Sequence, residues 1–353
     1  MSKMREVHVE QVDVLAVVGA CAPERLRYAK RLTAMTRRMF VPARRLALAP
    51  DPIDEALALA PWSGSSTGAV VEFPTETVMT ELIGALADPH APTRLAGIVC
   101  LADAAHLLDD LRRDSYAHRA ALPGQHPSMG RYTAHALLAV TQLEYASLIV
   151  LVNWETLPTD DLSTVMGLVS HLSPRARLRL HADATSPWQP GIPYAVGQER
   201  PGWVALLNGD HDPHMTDPRV SAVRYENVRP LHPERLQHLL DDRIEAGEFG
   251  TVVRSAGFCR LATRVQVAAQ WDHVGQMISF DPLGRDDELG EDDELLAVGQ
   301  DLAFIGLDLD ADALAAALDE VVLDDAELAA GPDAWRHFPD PFPAWRNTAD
   351  RAE

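Results

Sequence analysis

Along residues 12–180, apolar runs bounded by turn residues alternate with stretches of three- and four-residue periodicity. Val14–Val18 is an unbroken apolar run; Gly19 follows, and from Glu24 onward Leu26, Ala29 and Leu32 recur at helical steps. The same reading predicts further strands at Arg44–Leu48, Ala69–Phe73, Ile98–Ala102, Leu148–Val152 and Arg177–Leu180. Helices are predicted at Asp51–Leu59, Val78–Leu86, Ala104–Leu111, Gly130–Ala146 and Leu162–Leu172, with loops at Pro61–Gly68 and Asp114–Ser128. Met1–Gln11 reads as a leader into the first strand. Val-, Leu- and Ile-rich strands alternating with helices imply an α/β domain, a mainly parallel sheet covered on both faces.

The pattern breaks at His181–Pro218, where Pro and Gly are frequent and Trp188 and Trp203 stand alone. That composition predicts a linker. From Val220 the order becomes strand (Val220–Val228), helix (Pro233–Glu245) and three strands near Thr251–Ala262, Val265–Gln270 and Gln276–Phe280. A strand at Gln300–Leu307 and a helix at Ala311–Val321 complete a smaller α+β domain. The expected division is residues 1–182, a linker at 183–219 and a second domain at 220–347.

Charge changes this picture. Of the 353 residues, 52 are acidic and 31 basic, a formal net charge of -21. Most of that charge lies after Phe280, notably in Asp286–Glu294, whereas Arg25, Arg27, Lys30, Arg31, Arg37, Arg38, Arg44 and Arg45 make the N-terminal part, with its first helix, basic. A net acidic chain is a poor general nucleic-acid binder, so any such contact is expected only indirectly or through that helix. No apolar run reaches membrane-spanning length and no signal pattern opens the sequence, so a soluble, cytoplasmic protein is expected. Cys21, Cys100 and Cys259 lie far apart and form neither a disulfide framework nor a zinc pattern; buried, reduced thiols are expected.

An apolar strand, a glycine and an amphipathic helix have the layout of a phosphate-binding βα unit. Such a loop needs two glycines for close backbone approach, a Lys for the terminal phosphates and a hydroxyl for magnesium. Here Gly19 fills the first position, but Glu24, Arg25 and Leu26 occupy the others. Glu24 repels phosphate and Leu26 holds no metal. The layout is that of an NTPase without its phosphate chemistry. Elsewhere, Asp103, His106, Asp109 and Asp110 share a helix start, with a capping role expected for Asp103. Glu144 is expected to be structural, and no Ser-His-Asp or Cys-His grouping is proposed from spacing.

Four segments of the C-terminal half carry a resemblance: Arg229–Leu236, Val253–Phe258, Gln300–Leu309 and Trp335–Trp345. In this order they resemble the opening signature, the second strand, a later strand and the closing aromatic–proline tail of the CobW C-terminal domain. The resemblance implies a P-loop-NTPase-like first domain ahead of a CobW C-terminal domain. Carried over by position, the vestigial nucleotide site would comprise Gly19, Arg25, Glu72 and Asn153. Ala69–Phe73 stands for the Walker B strand and Glu72 for the Glu of the family's ExxG motif, with Thr75 replacing the Gly three residues on. Asn153-Trp154-Glu155-Thr156 stands for the guanine-reading segment, with its Lys and Asp lost. The family's cysteine metal motif has no counterpart between Arg44 and Ala69. The histidine-rich insertion shrinks to His211 and His214, a weak metal pair at most, so no tight zinc site is expected.

The resemblance, taken with these losses, implies a non-catalytic binding or regulatory protein of zinc homeostasis, with ribosome-associated action as its most specific form. No cofactor is expected, GTP with magnesium and zinc binding weakly if at all. The partner is expected to be a protein or the ribosome, met through the tail and the basic helix. Two alternatives stand beside it: a divergent GTP-dependent metallochaperone, and a small-molecule sensor using the crevice at the strand ends.

Overall fold

The computed structural model describes residues 11–64, 67–119, 131–181, 193–196, 200–286 and 299–345. The leader before Gln11, Trp188, the acidic run after Asp286 and the chain beyond Trp345 lie outside these residues. The chain divides into two compact units, residues 1–201 and 202–353, with the boundary inside the segment read as a linker.

The first unit contains β1 (Val12–Val18), α1 (Ala22–Thr36), β2 (Met39–Val41), α2 (Ala43–Leu46), α3 (Pro52–Leu59), β3 (Ala69–Glu72), α4 (Met79–Leu86) and β4 (Thr93–Asp103). It continues with α5 (Leu107–Leu111), β5 (Tyr116–Arg119), β6 (Arg131–Ala134), α6 (His135–Glu144), β7 (Leu148–Val152), α7 (Thr159–Leu172) and β8 (Arg177–Leu180). Six strands form one parallel sheet in the order β2-β3-β1-β4-β7-β8. β5 and β6 form a separate antiparallel ribbon. β1, β3 and β7 are buried nearly throughout, as strands covered on both faces must be. The α/β architecture with a P-loop-like parallel sheet is therefore the observed one.

Two predicted elements differ. Arg44–Leu48 is not a strand; β2 is the three-residue Met39–Val41, and Ala43–Leu46 is helical. The turn into α2 is capped from a distance, because Glu72 Oε2 accepts from Ala43 N at 3.2 Å. Gly130–Ala146 is not one helix either. β6 pairs with β5, His118 opposite Tyr132, and the helix begins at His135. Tyr132 and Thr133, both strand formers, lie in β6.

The basic first helix is less of a free face than its spacing suggests. α1 ends at Thr36, and Arg37 takes a left-handed φ of 55°. Arg38 lies beyond the helix, and its Nη1 donates to the Asp13 carbonyl at 3.0 Å. Arg27 pairs with Glu24.

The second unit begins with α8 (Gly202–Leu207), a helix inside the expected linker. It packs against β9 (Val220–Asn227), β10 (Thr251–Cys259) and β13 (Gln300–Leu307). With β11 (Val267–Val274) and β12 (Met277–Arg285) these make an antiparallel sheet in the order β12-β11-β10-β13-β9. α9 (Pro233–His238), which runs on into a π-helical stretch at Leu239–Ile244, and α10 (Ala311–Val321) cover one face. Trp271, Phe304, Leu302 and Leu318 centre that core. α11 (Asp325–Ala330) opens with a reciprocal cap between Asp324 and Glu327, and α12 (Pro332–Trp335) leads to the tail.

The tail packs on its own unit. Trp345 Nε1 donates to the Phe280 carbonyl at 2.7 Å, and the Arg264 guanidinium lies 4.3 Å from the Trp345 ring centre. Arg264 also holds Asp340 through two bonds of 2.9 and 3.1 Å, and Phe342 meets Phe280 edge-on. Trp345→Ala is expected to destabilise this unit by about 2 kcal/mol, through lost packing and the lost cation–π contact. A thermal melt checks it; an unchanged midpoint would show that the tail contributes nothing to the core.

Candidate functional site

The predicted nucleotide site sits where β1 meets α1, between the ends of β3 and β4. Gly19 has φ +135°, and a Cβ there would lie 2.1 Å from the Leu101 carbonyl oxygen of β4. The position demands glycine for packing alone, whatever else it does. The helix then starts early. α1 begins at Ala22, ahead of the second-glycine position held by Glu24. Pro23 has no N–H to offer, and the Arg25 N–H is spent inside the helix, on the Cys21 carbonyl at 3.0 Å. Two of the backbone donors that would cradle phosphate, at Pro23 and Arg25, are therefore lost or spent.

Arg25 takes up the space instead. It is 3% exposed, and its guanidinium donates to the Gly19 carbonyl and to Thr75 Oγ1 at 3.0 Å. Its Nε lies 3.4 Å from Glu72 Oε1, and Glu72 is likewise 3% exposed. The second Glu72 oxygen caps α2. One buried ion pair thus ties together the β1–α1 turn, the end of β3 and the start of α2. Beside Ala20, Thr75 and Gln142 the remaining space is about 10 Å³, the size of one water and too small for a phosphoryl group. Gln142 Nε2 donates to the Thr75 carbonyl at 2.8 Å, while its buried Oε1 has no partner among the described residues.

Asn153 belongs to a second constellation. It adopts a left-handed φ of 56°, and its Nδ2 donates to Asp103 Oδ2 at 2.7 Å. The same carboxylate lies 3.1 Å from His106 Nδ1, which raises the His106 pKa, and its other oxygen accepts from Ala105 N. The helix cap expected of Asp103 is not made: the N-cap of α5 is His106, without a side-chain bond, and Asp103 holds the turn before it. Trp154 Nε1 donates to the His181 carbonyl at 3.0 Å. The segment that would read guanine straps the ends of β4, β7 and β8 together. The structure therefore joins Gly19, Arg25 and Glu72 in one contact and sets Asn153 in another.

Among the described residues no group of three or more His, Cys, Asp or Glu side chains is placed to hold a metal ion. His211 and His214 lie in the irregular segment between α8 and β9, with no third ligand in such a group. The cysteines are poor ligands as they stand. Burial, reinforced by Glu24 and Asp103, pushes the Cys21 thiol up to about 12. Burial pushes Cys259 to about 12, and burial together with the neighbouring Cys21 raises Cys100. All three stay protonated near neutral pH, and the thiolate is the metal-binding form. No helix among the described residues is long and apolar enough to cross a membrane.

The C-terminal unit carries a recognisable domain. Residues 220–322 match the cobalamin synthesis protein cobW C-terminal domain. The second unit therefore carries a CobW C-terminal domain. Zinc-regulated GTPase metalloprotein activator 1 of Dictyostelium discoideum is 25% identical to it over 228 residues, 58% of this chain and 48% of that relative. The chain thus spans about half the length of the relative it matches. Two solved structures align with 89% of it and 99% of their own chains: the Zn(II)-bound YjiA GTPase from E. coli, at 11% identity and a TM-score of 0.33, and a Zn(II)-bound triple mutant of YjiA GTPase, at 12% and 0.34. Superpositions of that quality leave the geometry of this chain to its own residues.

Two parts of this site were not legible in the sequence. Arg25 was assigned to a nucleotide, but its partners lie 47 and 50 residues away at Glu72 and Thr75. Gln142 gave a faint signal, a polar side chain on the apolar face of a helix, and it is 1% exposed.

Proposed function

We propose that this protein serves zinc homeostasis by binding a protein partner, without a GTP cycle run through the β1–α1 turn. The observation that carries this reading is Arg25, whose buried guanidinium fills the turn and is neutralised there by Glu72. Zinc enters from the relative, whose name joins zinc regulation, GTPase activity and metalloprotein activation.

That same name favours a second reading, a divergent GTP-dependent metallochaperone. It requires Arg25 to leave Gly19 and Thr75 and the start of α1 to unwind, so that phosphate meets backbone donors. Calorimetric titration with GTP and magnesium separates the two. The phosphate Lys, the magnesium hydroxyl and the guanine-reading Asp are all replaced, each a contact worth about 1.5–3 kcal/mol. Their combined loss weakens binding by several orders of magnitude. The expected result is no saturable heat below about 1 mM GTP. A micromolar constant would abandon the first reading for the second.

A further inference from the structure

The parallel sheet of the first unit ends at β8, which pairs with β7 and with no other strand among the described residues. Arg177 N donates to the Ser147 carbonyl at 3.0 Å and His181 N to the Leu151 carbonyl at 2.8 Å. Arg177, Arg179 and His181 therefore turn their backbone groups toward β7, and the N–H and C=O groups of Leu178 and Leu180 turn outward. Neither leucine has a hydrogen bond on that side among the described residues. Such a row of unpaired backbone groups is a template for one more strand. It ends at His181, whose carbonyl is taken by Trp154 Nε1.

The side chains add a charge pattern. Arg177 and Arg179 share one face of β8, about 6.6 Å apart along the strand, and Leu178 and Leu180 share the other. Arg177 is exposed and Arg179 half-buried, and neither guanidinium has a hydrogen bond or ion pair among the described residues. On the arginine face, Tyr28 of α1 meets the His181 ring edge-on, the ring centres 5.9 Å apart. Burial raises the Tyr28 pKa, and the nearby Arg179 and Arg31 charges oppose that shift. In a chain of net charge -21 this is a local positive edge. A second copy of β8 would set arginine against arginine, which is repulsive. The complementary strand is acidic: carboxylates at every second position stand opposite Arg177 and Arg179, and apolar residues between them meet Leu178 and Leu180. Charge on an edge strand wards off unwanted pairing, and these two arginines ward off basic and apolar strands while favouring an acidic one.

We infer that β8 is a docking edge for an extended peptide in which acidic and apolar residues alternate. The added strand exchanges backbone hydrogen bonds with Leu178 and Leu180, and its carboxylates pair with Arg177 and Arg179. The inference rests on the partner-binding reading above and names the face that the partner meets.

The probe is an acetylated, amidated octapeptide of alternating Glu and Val, fluorescently labelled and titrated against the full chain by anisotropy. Saturable binding that weakens with salt is expected, together with slowed hydrogen exchange at the Leu178 and Leu180 amides. Arg177→Glu changes an exposed, unpaired side chain, so the melting temperature stays in place. Combined with Arg179→Gln it lowers affinity about tenfold or more. No saturable binding up to about 1 mM peptide overturns the inference and leaves the arginines as a guard on the edge. Equal affinity for a block peptide of four Glu then four Val overturns it too, as does unchanged exchange at Leu178 and Leu180 or unchanged affinity in the double variant. Oligouridylate of equal charge binding as tightly would assign the edge to nucleic acid instead. If peptide binding fails while GTP also stays unbound, the docking edge is lost and the partner-binding reading stands.

Discussion

Arg25→Met destabilises the N-terminal unit by about 3–5 kcal/mol, because it strands a buried carboxylate. Glu72 is 3% exposed, and without Arg25 its charge keeps one donor among the described residues, the Ala43 N–H at 3.2 Å. Taking one partner from a buried pair is far more damaging than replacing both. The double change Arg25→Met with Glu72→Gln is therefore expected to recover most of the loss, since a neutral amide still caps α2. Urea unfolding, read through hydrogen exchange of the β1 and β3 amides, reports this unit by itself. A loss below about 1 kcal/mol in Arg25→Met would mean that the guanidinium is not the buried partner of Glu72. The same double variant bears on function. If it gained GTP binding, the plug alone would have been the obstacle.

The second large effect is one of pH, in the C-terminal unit. His273 is buried, and burial together with the Arg254 charge pushes its pKa down from 6.5 to about 4. Its hydrogen bonds need the neutral ring. Trp271 Nε1 donates to Ser255 Oγ at 2.8 Å, which leaves the Ser255 hydroxyl to donate to His273 Nδ1 at 3.0 Å. The folded-state pKa is depressed, so the unfolded chain takes up the proton first. The stability it contributes is complete above about pH 6.5 and is lost as the pH falls from there toward about 4. At roughly 1.4 kcal/mol per pH unit, this amounts to about 2–3 kcal/mol between pH 7.5 and 4.5. Urea midpoints across that range measure it, and His273→Gln should flatten most of the slope. His232 leaves a residual slope of the same sign, because burial and then Arg235 lower its pKa too. An equal slope in His273→Gln would place the acid sensitivity elsewhere.

What was legible in the sequence follows the range of the interactions involved. β13 and α10 were read to the residue, because a bounded apolar run and an uninterrupted helical stripe are local signals. The C-terminal signature was legible for the same reason, and residues 220–322 carry it. β2 was not, since three residues are too few to show a period. α2 was hidden because Glu72, 29 residues along the chain, caps its first turn. At the candidate site, the loss of the phosphate residues was legible position by position. What replaced them was not: the bond from Arg25 to Glu72 depends on β1 and β3 lying side by side.

The strand order has a consequence for synthesis. β1 is the first strand of the sheet to leave the ribosome, yet it lies in the middle, between β3 and β4. Its partners Ala69 and Thr93 come 55 residues after Val14 and 81 after Val12. At about 5–20 residues per second, the apolar run Val14–Val18 waits on the order of ten seconds for its neighbours. During that interval α1, with Arg27, Lys30 and Arg31 along it, is the available escort.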